Sequence, residues 1–289
     1  MEYTKIGTQS FAVLGIEAAL AFAIPIAMAL IWKRKKNERI TTILVGAATF
    51  ILFALVLEKP IQGLLLFPTQ MGLADHAASR FLNARPVLLA LMTGLFPGVF
   101  EETGRLAAYK TVLKKRKNRE TSISYGIGHG GMEVILVLGI SYITYIAYAV
   151  MINAGTFGTV LDQMAAKAPD QAAAYAALPE KMAAVTFLDI GAGFVERAFA
   201  FLFHIGASIL VFYACRDKKR TWLYPLAIIL HTAMDLFAGL YTFGILRIPV
   251  WALEGIIAAF GLLTFCGAYF LLYRKDQVNW KDKEKTGVR

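Results

Sequence analysis

Apolar runs long enough to cross a bilayer recur seven times along the chain, near 10–32, 40–58, 86–109, 123–151, 188–214, 221–244 and 250–273. About 20 helical residues span the roughly 30 Å of hydrocarbon in a membrane. Each run therefore predicts a transmembrane helix, in which the backbone satisfies its own hydrogen bonds. The expected fold class is all-α: a polytopic helical membrane protein with about seven transmembrane helices, forming one membrane-embedded domain over 1–289. Two connections are more than tight turns. Residues 59–85 carry the apolar patch Leu64-Leu65-Leu66-Phe67-Pro68, which reads as a helix lying in the interface. Residues 154–187 are rich in alanine and read as a short amphipathic hairpin. Neither holds a constellation of catalytic side chains.

Composition supports the membrane reading. Hydrophobic residues make up 57% and charged residues 17%, with a mean hydropathy of +0.56, whereas soluble domains carry about 25% charged residues. A net charge of +10 in a soluble protein would suggest nucleic acid. Here 21 of the 30 Lys and Arg fall in 33–39, 110–120, 215–220 and 274–289. They are the short basic connections that set orientation, and no nucleic-acid partner is expected. The bias places the N-terminus outside and the C-terminus in the cytosol. The first run is too long for a signal-peptide core, and its positive charges follow it, so it reads as a retained anchor. Cys215 and Cys266 fall near cytosolic ends of apolar runs, and no disulfide is expected.

Ionisable groups inside apolar runs are costly, roughly 2.5–3.5 kcal/mol each on insertion scales. The third run nevertheless contains Glu101-Glu102-Thr103-Gly104-Arg105. The fourth contains the glycine-rich stretch Tyr125 to Glu133, in which His129 and Glu133, four apart, share a helical face. Its glycines would let a neighbouring helix approach closely. The fifth holds Glu196, Arg197 and His204, and the sixth holds His231 and Asp235. Three of the chain's four histidines thus lie in spans; His76 lies in a loop. Counted from the nearest basic cluster at 1.5 Å per residue, Glu101, His129, His204 and His231 all sit roughly 13–18 Å deep. Scattered structural groups have no reason to agree in depth, so these residues are expected to meet in one layer. The antiparallel fifth and sixth runs should bring His204 and His231 together, with Glu101 or Glu102 completing the cluster. The pair Glu196-Arg197 reads as an ion pair bracing the bundle, and Glu17 and Glu254 as facing water near helix ends.

A carboxylate among imidazoles supports two schemes. It can hold a metal such as Zn2+, which lowers the pKa of bound water. Alternatively a glutamate in a poorly solvated cavity can act as general base toward water, with imidazoles stabilising the oxyanion. Both hydrolyse a buried bond. No serine or cysteine is placed as a nucleophile with these histidines, and there is no His-Glu-x-x-His motif. Buried carboxylates and histidines also make proton relays, so an ion-coupled transporter is an alternative, disfavoured by the lack of paired repeats. A non-catalytic membrane scaffold is another.

Glu101-Glu102-x-x-Arg105, the histidines of later runs and His231-x-x-x-Asp235 resemble the superfamily of type II CAAX prenyl endopeptidases, PrsW-type proteases and the YhfC family. The glycine-rich Tyr125 to Glu133 stretch is similar to the corresponding span of PrsW-like proteins. The chain looks most like a bacterial YhfC-family intramembrane metalloprotease, with the resemblance covering about 86–240, the site-bearing core. It departs from the CAAX endopeptidase pattern in having two residues, not three, between the glutamates and Arg105, and in carrying Asp235 in place of asparagine. The resemblance implies an endopeptidase of the cell membrane acting on membrane-associated protein or peptide; the depth of the polar layer and the charge bias place its opening toward the cytosolic half of the bilayer. The resemblance also implies that Glu101 activates water, that Glu102 and Arg105 organise the site, and that His204 and His231 bind metal or stabilise the oxyanion. The candidate metal ligands are Glu101, His204 and His231, with His129, Glu133 and Asp235 as further donors.

Overall fold

The computed structural model describes residues 3–36, 38–166 and 169–276. Lys167 and the basic tail beyond Asp276, both part of the charge reading, lie outside them. Among the described residues seven helices are long and apolar enough to cross a membrane: Thr8–Lys36, Ile40–Leu66, Pro86–Lys110, Glu120–Asn153, Ile190–Arg216, Lys218–Thr242 and Val250–Asp276. They are the first to seventh spans below. No strand occurs among the described residues.

The fifth span is the axis of the bundle. It is 78% buried over its apolar window, against 22–50% for the other six. The fourth and seventh spans pack along it, the third and sixth also touch it, the second packs on the fourth, and the third packs on the sixth. Glycine makes these approaches possible. A Cβ on Gly126 would lie 2.7 Å from Ile205 Cα, and one on Gly128 would run into the Ile43 carbonyl. The glycine-rich face of the fourth span is therefore pressed between the second and fifth spans, as small residues allow.

The hydrophobic stretch 59–66 is not a separate interfacial helix. It continues the second span as Lys59–Leu66, after a π-helical stretch over Ile51–Glu58. The apolar run ends at Glu58 and Lys59 because these two are polar. They pair with each other at 3.0 Å, which lets the helix carry on. The short helix Ala77–Asn83 follows, capped by His76, so the loop histidine has a structural role. Residues 154–187 form three short helices, Phe157–Ala165, Pro169–Ala176 and Leu178–Ala183, of which the first two pack against each other.

Glu17 and Glu254 do not face water; they are 6% and 3% exposed. Glu17 shares a face with Val13, Leu14, Ala18 and Ala21 in the first span. Glu254 shares one with Leu253, Ile257, Gly261 and Thr264 in the seventh. Both faces turn inward, so helical spacing and not distance from the helix end decides their exposure. Cys215 and Cys266 are free.

Candidate active site

Pro97 lies inside the third span. It has no N–H to donate to the residue four positions back, which is Thr93. The freed Thr93 carbonyl accepts from Gln62 Nε2 at 3.3 Å, tying the third span to the second. One turn further on, Glu101 and Glu102 are buried, and Glu102 and Arg105 are wholly so.

Two carboxylates at adjacent positions point to different partners. Glu102 Oε2 lies 2.9 Å from Arg105 Nε, and Glu102 Oε1 accepts from Arg105 Nη2 at 3.1 Å. The same Oε1 accepts from His231 Nδ1 at 3.0 Å. Arg105 also donates to the His204 carbonyl at 2.9 Å and to Ser208 Oγ, and its ring neighbour is Tyr125. Glu102 and Arg105 therefore clamp the third span to the fifth and sixth.

Glu101 turns the other way. Its Oε2 accepts from His129 Nε2 at 2.9 Å and lies 4.0 Å from His204 Nδ1. His204 Nε2 approaches Glu133 Oε2 at 2.6 Å. The imidazole centroids of His204 are 4.8 Å from His129 and 5.2 Å from His231. His231 Nε2 is 3.6 Å from Asp235 Oδ2, beyond hydrogen-bond length. All eight residues named from the sequence, Glu101, Glu102, Arg105, His129, Glu133, His204, His231 and Asp235, thus meet in one cluster.

Arg197 belongs there too. It does pair with Glu196, but its Nη1 also reaches Glu133 Oε1 at 2.5 Å and it lines the cavity in front of the histidines. The seven-residue spacing from His204 puts the two on one face, and that was the available signal. Ser208 was missed outright. It lies one turn beyond His204, takes a bond from Arg105 and donates to the His204 carbonyl at 2.6 Å.

The cavity measures about 610 Å3. Glu101, Glu133, His204, His231 and Asp235 line its inner part, and Lys59, Gln62, Phe67, Gln70 and Phe243 its mouth. It opens at the end of the bundle that carries the 67–85 connection, away from the basic connections. The lining does not include the basic connections, toward which an opening was expected; on that side Tyr109 lies 4.9 Å from Tyr125 and 5.4 Å from Phe212, ring centre to ring centre, and the three rings form an aromatic plug.

Glu101, His204 and His231 each offer one ligand atom, all within 4.8 Å of one another. A tetrahedral zinc shell with bonds of about 2.0–2.1 Å needs donors roughly 3.4 Å apart, so movements of about 1.5 Å would close it. The donor chemistry fits. His231 gives its Nδ1 proton to Glu102, leaving the Nε2 lone pair toward the cavity in the carboxylate-oriented arrangement common for metal-bound histidine. His204 is held differently. Arg105 Nη2 can only donate to its Nδ1, at 3.1 Å, so Nε2 carries the proton directed at Glu133. Binding a metal there requires its loss.

The chain is 29% identical to the "Uncharacterized membrane protein YhfC" of Bacillus subtilis (strain 168) over 259 residues, which is 90% of this chain and 95% of that protein. No solved structure matches it. The sequence profile described as "YhfC intramembrane metalloprotease" matches residues 20–257, taking in part of the first span and all of the second as well as the site-bearing core. The protein belongs to the YhfC family.

Proposed function

We propose that the protein is an integral membrane endopeptidase that hydrolyses peptide bonds of membrane-associated substrates at the Glu101–His204–His231 cluster. The carrying observation is that these three donors, drawn from three spans, converge within 4.8 Å at the inner end of an open cavity. The family description supports a membrane-embedded metalloprotease, and the Bacillus relative, described as a membrane protein, supports a bacterial cell membrane. With the charge bias of the connections, the N-terminus is outside, the C-terminus is cytosolic, and the cavity admits substrate from the outer side.

In this reading a water in the cavity gives a proton to Glu101, and its oxygen attacks the peptide carbonyl carbon. The tetrahedral oxyanion takes a hydrogen bond from His204 Nε2–H. The C–N bond breaks as Glu101 passes the proton to the departing amine, giving one carboxylate and one amine. Glu102 holds His231, Arg105 holds Glu102 and the His204 backbone, and His129 orients the Glu101 carboxylate. Where a divalent ion such as Zn2+ is held by Glu101, His204 and His231, with Glu133 and Asp235 close by, His204 gives up its Nε2 proton, and the ion would polarise the carbonyl in its place and lower the pKa of water.

The test is cleavage of a library of apolar, membrane-spanning peptides by protein reconstituted in vesicles, with fragments read by mass spectrometry. Wild type should give fragments that Glu101→Gln, correctly inserted and folded, yields at least about 100-fold more slowly. Equal cleavage by both sinks the assignment.

A further inference from the structure

On the other side of the aromatic plug lies a second cavity of about 430 Å3. Its lining includes Lys110, Lys114, Arg116, Lys117 and Arg216, over a floor that includes Tyr109, Leu113 and Phe212. Among the described residues no carboxylate belongs to that lining. The floor residues are all buried, at 2–5% exposed. The chain builds this arrangement at the end of the third span. Leu113 N–H turns back to the Ala108 carbonyl at 2.9 Å, and Arg116 N–H to the Leu113 carbonyl at 2.8 Å. Tucking Leu113 inward in this way gathers the flanking cations around one opening.

These cations are poorly neutralised. Among the described residues the side chains of Lys110, Lys114 and Lys117 have no hydrogen bond or ion pair, and that of Arg116 reaches Thr41 Oγ1 at 3.3 Å. Arg216 lies over the Phe212 ring and 3.9 Å from Asp276. The neighbouring basic turn differs, since there Arg220 pairs with Asp217 at 3.3 Å. Orientation alone needs only that basic residues occupy the connection; it does not need them to ring a cavity with an apolar floor.

We propose that this cavity binds the phosphate headgroup of an anionic phospholipid. Several cations supply charge-assisted hydrogen bonds to phosphate oxygens, and basic pockets between transmembrane helices on the cytoplasmic side suit such headgroups. The lipid source follows from position. The cavity lies where the third and fifth spans end, and its floor of Tyr109, Leu113 and Phe212 offers apolar contact for glycerol and acyl carbons.

The experiment uses the full chain in a non-ionic detergent, with phosphatidylglycerol, phosphatidylcholine and inorganic phosphate as separate probes. Binding is read by native mass spectrometry and by the rise in melting temperature. Phosphatidylglycerol should bind and stabilise, and the other two should not. Lys110→Gln/Lys114→Gln/Lys117→Gln should weaken phosphatidylglycerol about 100-fold, at roughly 1 kcal/mol per lysine. Lys33→Gln/Lys35→Gln/Lys36→Gln, with the same charge loss at another connection, should not. Lys114→Gln alone, about fivefold weaker, carries the test should the triple variant fail to fold. Equal losses in the two triple variants, an unchanged Lys114→Gln, or stabilisation by phosphate equal to that by lipid would overturn the proposal.

Discussion

Replacing Arg105 by alanine should destabilise the bundle by about 3–5 kcal/mol, the usual cost of removing one partner from a buried ion pair. Arg105 and Glu102 are both fully buried, so water cannot take the place of the guanidinium. The variant leaves Glu102 with His231 as its remaining partner and strips the His204 carbonyl of a 2.9 Å bond. Hydrogen bonds to a charged group contribute about 1.5–3 kcal/mol each, but those of Arg105 share one charge and do not add. At about 2–4 °C per kcal/mol for a chain of this size class, the melting temperature should fall by roughly 6–20 °C. Arg105→Lys keeps the charge but not the fork, and should lose about half as much. The assay is thermal unfolding of detergent-purified protein, followed by tryptophan fluorescence. An alanine variant within about 2 °C of wild type, or a lysine variant as damaged as alanine, would refute the clamp.

Metal analysis of purified wild type should find about one divalent ion per chain, removed by chelator, whereas His231→Ala, lacking one of three donors, should hold none at equal loading. Full occupancy in that variant would remove His231 from the ligand set. Gly128→Ala drives a Cβ into the Ile43 backbone and should cost about 1–3 kcal/mol in thermal or denaturant unfolding. Gly267→Ala, with open space around it, should be neutral or stabilising by up to about 1 kcal/mol. For topology, a cysteine at Lys117 should react in intact cells only with membrane-permeant reagents, and one at Gln70 also with impermeant ones. The reverse pattern would turn the active-site cavity toward the cytosol.

The spans and the polar layer were readable because both follow from one-dimensional rules. Hydropathy marks the spans, and rise per residue gives depth, which is why His204 and His231 were expected at one height and lie 5.2 Å apart. What failed depends on which helices neighbour one another. Nothing in the linear pattern says that Tyr109, Tyr125 and Phe212 pack as a plug, or that the cavity lining leaves out the basic connections. Lys59 ends the apolar run, yet the helix continues through it because the preceding Glu58 pairs with it. Glu17 was assigned by nearness to a helix end, when its i, i+3/i+4 neighbours Val13, Leu14 and Ala21 already marked a buried face. Arg197 was read with its sequence neighbour Glu196, while its contact with Glu133 comes from another span.

The central claim is that Glu101 and His231, carried on different spans, act as one hydrolytic unit. The direct measurement is the single-turnover rate of peptide-bond cleavage in Glu101→Gln, His231→Ala and the double variant. Members of one catalytic unit are strongly non-additive. Each single variant should lose at least about 100-fold, and the double should be within about tenfold of the worse single variant. A single variant that cleaves at the wild-type rate, or a double whose loss is the product of the two, would contradict the account.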